Sequence, residues 1–283
     1  MGFLLRILSF LPLPLLHNLG ALAGWLIWLM SPTYRRHLRE NTALAGLAEA
    51  RGAAIAEAGK AIFELPKLWL RPHDEVVARV VKVSGWELVE AAWQEGRGIL
   101  FLTPHLGCFE ITAQYYSGFG DITVLYRAPR QAAIQQMILD GRQRANLHLA
   151  PADVSGVRAL IKALKKGQAV GMLPDQAPKV GEGVWLKFFG RWAYTMTLAG
   201  RLTETGATIL MAWGERLPGG RGYRLHIRPP LNPLTGATVD RAQLVNLEIE
   251  ALIRECPAQY LWGYNRYKRP GGAEPPPAQG QDG

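Results

Sequence analysis

Residues 98–110 read GILFLTPHLGCFE, and this stretch decides the fold. The run Ile99–Leu102 is apolar on both of its alternating faces, the pattern of a strand covered from both sides. Pro104 and Gly107 then punctuate a turn, and a helix begins near His105. A buried strand that turns directly into a helix is the repeating unit of an α/β protein, whose ligands lie outside the carboxyl ends of the strands. His105 falls at such an end, with Glu110 five residues later. Within one helix, five residues turn through about 500°, leaving the two side chains roughly 140° apart. They meet only if His105 sits in the turn and Glu110 one turn into the helix. Two readings stay open here. His105 is a base oriented by the Glu110 carboxylate, or it caps the helix while Glu110 faces solvent.

The alternation continues on both sides. RVVKVSG (79–85), DITVLY (121–126) and QAVGMLP (168–174) read as strands, and 86–94, 131–144 and 154–167 as helices. In the last, Val157, Leu160, Ile161 and Leu164 share a face away from Lys162, Lys165 and Lys166. Residues 193–205 read as a further helix, and 238–255 as the last. Segments 207–217 and 222–230 flank Pro218-Gly219-Gly220 as a hairpin. The expected architecture is α/β, a mixed and largely parallel central sheet flanked by helices.

Residues 3–30, FLLRILSFLPLPLLHNLGALAGWLIWLM, are almost wholly apolar, and Leu11–Met30 reaches the length of a spanning helix. His17-Asn18 divides the segment into two runs that fit equally a helix lying in the interface. The basic cluster Arg35, Arg36, His37 and Arg39 follows, and such flanks stay cytoplasmic. The division expected is an anchor over 1–32, a catalytic domain over 33–270 and a disordered Pro/Gly-rich tail over 271–283.

The chain has 283 residues, 48% of them hydrophobic, which suffices for a sizeable core. Its two cysteines supply neither a disulfide framework nor a thiolate metal motif. Cys108 reads as a small buried thiol. The zincin pattern, two histidines four apart, is absent. A net charge of +9 suits an anionic membrane, a phosphorylated substrate or an acidic protein. No zinc-finger, RNP or basic-zipper pattern points to nucleic acid.

More polar residues gather at successive strand ends. Arg127 follows DITVLY, Arg142 and Arg144 close the next helix, and Asp175-Gln176 follow the strand at 168–174. Arginines there suit phosphate oxygens, whereas each alone also suits a surface ion pair, and Asp175 a turn.

Taken in order, TPHLGCFE, VLYRAPR, GRQRANL, ALKKGQAVGMLPDQ, KFFGRWAYTMT and PAQYLWGYNRYKRP resemble the late acyltransferases of lipid A biosynthesis, within the wider glycerolipid acyltransferase superfamily. The likeness runs from the amino-terminal segment to about Pro270. It implies an O-acyltransferase that moves a fatty acyl chain from acyl carrier protein to a hydroxyl of a phosphorylated lipid A precursor. The reaction would run at the cytoplasmic face of the bacterial inner membrane, in contact with membrane lipids. It further implies His105 as general base and Glu110 as its orienting carboxylate. Arg127 and Arg142 would contact substrate phosphate or oxyanion, and Asp175 and Gln176 would form a third block of the site. No metal or bound cofactor is implied. After QYLW the family often carries a His-Arg-Arg-like run, whereas here Gly263-Tyr264-Asn265-Arg266 stands, which leaves acceptor and headgroup specificity open. The alternatives are the same chemistry on a lysophospholipid, ornithine lipid or glycolipid, or a non-catalytic membrane-associated binding protein. A binding protein has no use for a base.

Overall fold

The computed structural model describes residues 2–126, 141, 144 and 146–278. The central strands of its sheet, Ile99–Leu102 and Ala169–Met172, are buried at every position, so both faces of the sheet are covered there. Among the described residues seven strands form it: β1 (Val80–Ser84), β2 (Ile99–Leu102), β3 (Ile122–Tyr126), β4 (Leu147–Pro151), β5 (Ala169–Met172), β8 (Thr208–Arg216) and β9 (Tyr223–Arg228). Their order is β1-β9-β8-β2-β5-β3-β4, and only the β8–β9 hairpin is antiparallel. The mixed, largely parallel α/β sheet is therefore present.

The helices are α1 (Gly2–Phe10), α2 (Leu13–Met30), α3 (Pro32–Leu44), α4 (Arg51–Phe63), α5 (Leu65–Leu70), α6 (His73–Val77), α7 (Trp86–Gln94), α8 (Phe109–Tyr116), α9 (Val154–Lys165), α10 (Leu198–Leu202) and α11 (Thr238–Glu255). One core, holding Leu100, Leu102, Val170, Met172 and Met211, lies between one sheet face and α3, α4, α9 and α11. A second, holding Ile99, Phe101, Ala169 and Leu210, lies under α7 on the opposite face. Alternate residues of β2 thus enter different cores, which is why this strand shows no polar face.

Two expectations change. Residues 193–205 are not one helix. Arg191–Met196 forms β7, paired antiparallel with β6 (Gly183–Phe188) in a separate hairpin, and only α10 and a short 3₁₀ turn follow. The alternation of Trp192, Tyr194 and Met196 with smaller residues is a strand period, and the positive φ of Phe189 and Gly190 closes the hairpin. β4, whose LHLAP segment carries His148 and a terminal proline, was not anticipated. The helix expected over 131–144 lies outside the described residues, apart from Gly141 and Arg144.

α2 is not a free rod. It packs on α4 through Gly20, Gly24 and Gly59, where a Cβ at Gly59 would overlap the Gly20 carbonyl oxygen. His17 on α2 reaches the fully buried Glu64, with its Nε2–H 3.1 Å from Oε2. Arg216 at the end of β8 donates to the same carboxylate from Nε and Nη2 at 2.9 and 2.6 Å, and to Glu57 at 2.7 Å. The Tyr223 hydroxyl adds a further donor at 3.1 Å. The other side of α2 is bare: Leu22, Leu26, Leu29 and Met30 are exposed, as are Phe3, Leu4 and Phe10 on α1.

Candidate active site

The turn after β2 is built on glycine. Gly107 has φ +61°, and a Cβ there would overlap the Gly214 carbonyl oxygen. The Cys108 N–H donates to that same oxygen at 2.7 Å, and the Gly107 N–H donates to the Gln259 carbonyl at 2.9 Å. α8 begins only at Phe109, so His105 stands outside the helix and Glu110 lies in its first turn.

β2 and β5 are neighbours, with Leu102 opposite Met172. His105 and Asp175 each lie three residues beyond that rung, and they meet. The Asp175 carboxylate accepts the His105 backbone N–H on Oδ2 at 3.1 Å and Nδ1–H on Oδ1 at 2.8 Å. With the proton on Nδ1, Nε2 of the neutral ring carries a lone pair, and the Gln176 side-chain amide lies 3.2 Å from it. The Asp175 side chain is 2% exposed and that of His105 16%. Burial by itself would push the Asp175 carboxyl up. His105, through the charge of its ring when protonated and its side-chain and backbone hydrogen bonds, outweighs this and holds the carboxyl below the ordinary range.

The carboxylate behind the imidazole is thus Asp175, at the position where Glu110 was expected. Glu110 is buried and lines the same cavity as His105 and Gln176. That cavity is about 270 Å³ and is otherwise largely apolar, with Phe109, Val124, Leu125, Leu173 and Met196 among its walls. The Phe109 ring lies 4.8 Å from the imidazole. From the hairpin and the turn after it, Met196 reaches this cavity. Arg127 and Arg142 lie outside the described residues. Arg144 serves the frame, donating to Gln114 Oε1 at 3.2 Å and to the Leu68 and Arg71 carbonyls at 3.1 and 3.0 Å. Cys108 is buried, and burial with the neighbouring Glu64 charge pushes its thiol well up, so it is held as a neutral thiol.

The contribution of the carboxy-terminal segment went unread in the sequence. Tyr260 is buried, and its phenol is pushed well up, first by burial and then by the charge of Asp175. Leu261 N–H donates to the His105 carbonyl at 3.1 Å, so QYLW lies against the histidine turn. The sole sequence signal was its place within a recognisable pattern.

Chemically, an imidazole with a fixed tautomer and a lone pair facing an apolar cavity can take a proton from a hydroxyl. The family comparison is consistent with such a reaction. The model of the bacterial lipid A biosynthesis acyltransferases matches residues 1–269. A lipid A biosynthesis lauroyltransferase of Escherichia coli (strain K12) is 30% identical over 76% of this chain and 70% of its own length. A lipid A biosynthesis palmitoleoyltransferase of the same organism is 29% identical over 91% and 86%. A lipid A biosynthesis myristoyltransferase, also from that organism, is 25% identical over 93% and 83%. The chain belongs to the bacterial lipid A biosynthesis acyltransferase family.

Proposed function

We propose that this acyltransferase moves a fatty acyl chain from acyl carrier protein to a hydroxyl of a phosphorylated lipid A precursor, with His105 as general base. The observation that carries this reading is the His105 Nδ1–Asp175 hydrogen bond, which leaves Nε2 basic and turned towards the cavity. The acceptor hydroxyl replaces Gln176 at Nε2, gives up its proton there and attacks the thioester carbonyl. The imidazolium that forms is stabilised by the buried Asp175 carboxylate. The tetrahedral oxyanion collapses, the carbon–sulfur bond breaks, and the proton passes from Nε2 to the departing thiolate. Base catalysis of this kind contributes about 10²–10⁴-fold, and the remainder comes from positioning and oxyanion stabilisation.

In this reading Glu110 supports the cavity wall beside the base, and Arg127 and Arg142 bind phosphate or the oxyanion. The exposed apolar side of α1 and α2 rests in the membrane, and Arg35, Arg36 and Arg39 keep the catalytic body on the cytoplasmic side. Residues 33–270 then act as the catalytic unit.

The test is transfer by detergent-purified protein from acyl-acyl carrier protein to a tetra-acylated phosphorylated disaccharide, followed by product mass. His105→Ala is expected to lose about 10²–10⁴-fold in kcat. Full transfer by that variant refutes the base. Acylation of lysophospholipid alone refutes the acceptor.

A further inference from the structure

The segment Gln259–Tyr267 includes the stretch where this chain departs from the pattern of its family, and the proposed chemistry leaves it without a role. It touches both pieces of backbone that carry the base and its carboxylate. On one side Gly107 N–H donates to the Gln259 carbonyl at 2.9 Å and Leu261 N–H to the His105 carbonyl at 3.1 Å, with Leu106 bridged to Tyr260 between them. On the other side the Ala177 N–H donates to the Tyr264 hydroxyl at 3.1 Å. Ala177 is buried and lies two residues beyond Asp175, next to Gln176.

The segment is itself fixed from behind. Asn41 of α3 donates from Nδ2 to the Trp262 and Tyr264 carbonyls at 2.7 and 2.9 Å. Gly263 presses on the Tyr34 ring, which a Cβ would overlap. The buried Arg266 donates to the Tyr194 carbonyl and the Thr195 hydroxyl at 2.8 and 2.7 Å. The Gln259 side-chain amide pairs with both backbone groups of Arg216, at 2.8 and 2.9 Å. The histidine turn and the Asp175 loop issue from separate strands, and neither strand controls the loop beyond its end. One segment braces both against a common frame.

We propose that the Tyr264 hydroxyl is a positioning group for the His105–Asp175 pair: by accepting the Ala177 N–H it sets the Asp175–Gln176 backbone at the height of the imidazole. Tyr264 is not among the residues that line the cavity beside His105. Residue 264 therefore acts on the rate of the chemical step, and headgroup choice lies elsewhere.

Tyr264→Phe removes one oxygen from a partly exposed ring and leaves a buried N–H without its acceptor. Such a loss corresponds to about tenfold in rate when it falls on the chemical step. The control is Tyr267→Phe, which deletes the equivalent oxygen in the same segment. Tyr267 donates to the Phe188 carbonyl at 3.0 Å and bonds neither loop. The expected result is a fall of about tenfold in kcat for Tyr264→Phe, with KM for donor and acceptor within about threefold, and wild-type kcat for Tyr267→Phe. Equal kcat for wild type and Tyr264→Phe overturns the proposal, as does an equal fall in both variants.

The kinetic arm rests on the acyl-transfer reading; a second arm does not. In nitrogen-15 histidine-labelled protein the His105 Nδ1 proton should resonate downfield in the wild type and in Tyr267→Phe. It should move upfield in Tyr264→Phe. An unmoved resonance overturns the proposal whether or not the protein transfers acyl groups. Absent transfer by the wild type with a moved resonance refutes the acyl-transfer reading alone.

Discussion

At the scale of single residues, the carboxylate on His105 Nδ1 governs which ring nitrogen is basic. Asp175→Asn presents an amide N–H₂ or carbonyl in place of a pure acceptor, and the amide favours the wrong tautomer. The expected loss in kcat is about 10²–10⁴-fold, by analogy with the same change behind other catalytic imidazoles. Glu110→Gln, measured alongside, should fall by less than a tenth of that. The reverse ranking would return the orienting role to Glu110. A second titratable group belongs to stability. Burial pushes the Glu64 carboxyl up, but the Arg216 guanidinium and His17 outweigh it and hold it at about 2, below its ordinary 4.5. A carboxyl lowered on folding stabilises fully above 4.5 and loses that contribution as pH falls through 2. The swing is on the order of 3 kcal/mol, seen as a falling urea midpoint between those pH values. Glu64→Gln leaves the buried Arg216 charge with Glu57 as its remaining carboxylate, and a loss of about 3 kcal/mol is expected at neutral pH. A variant as stable as wild type would show that Glu57 alone suffices for Arg216. From the sequence, His105 was recognisable at a strand end, yet Asp175 looked like any turn aspartate.

At the scale of elements, the contact between α2 and α4 decides what the amino-terminal segment is. Three glycines bring two helix backbones together with no side chain between them, so a methyl group has nowhere to go. Gly59→Ala is expected to destabilise by about 1–3 kcal/mol through overpacking and to open the α2 junction to limited proteolysis. Unchanged melting and proteolysis would mean that the helices slide apart at little cost. The apolar pattern of 13–30 was plain in the sequence, as was the interruption at His17. That the histidine points at Glu64, beyond the end of α4, was not, because a residue's partner elsewhere in the chain leaves no local periodicity.

At the scale of the molecule, α1 and α2 both leave large apolar side chains exposed, and Arg35, Arg36 and Arg39 follow them in the chain. Replacing Leu22, Leu26 and Leu29 together by Ser removes exposed apolar area without touching the α4 contact. Co-sedimentation with anionic vesicles should fall by about tenfold or more, while kcat in detergent stays at the wild-type value. Undiminished sedimentation would place the membrane contact elsewhere. The strand before His105, the last helix, the apolar character of the amino-terminal segment and the family were all legible in the chain, because periodicity, turn residues and ordered motifs are local or linear signals. The partner of His105 Nδ1 was legible only in three dimensions. β2 and β5 are hydrogen-bonded neighbours although two strands lie between them in the chain, so Leu102 and Met172 share a rung and residues 105 and 175 meet three positions beyond it. Strand order is set by how helices cover the two faces of the sheet, and no spacing in the chain records it.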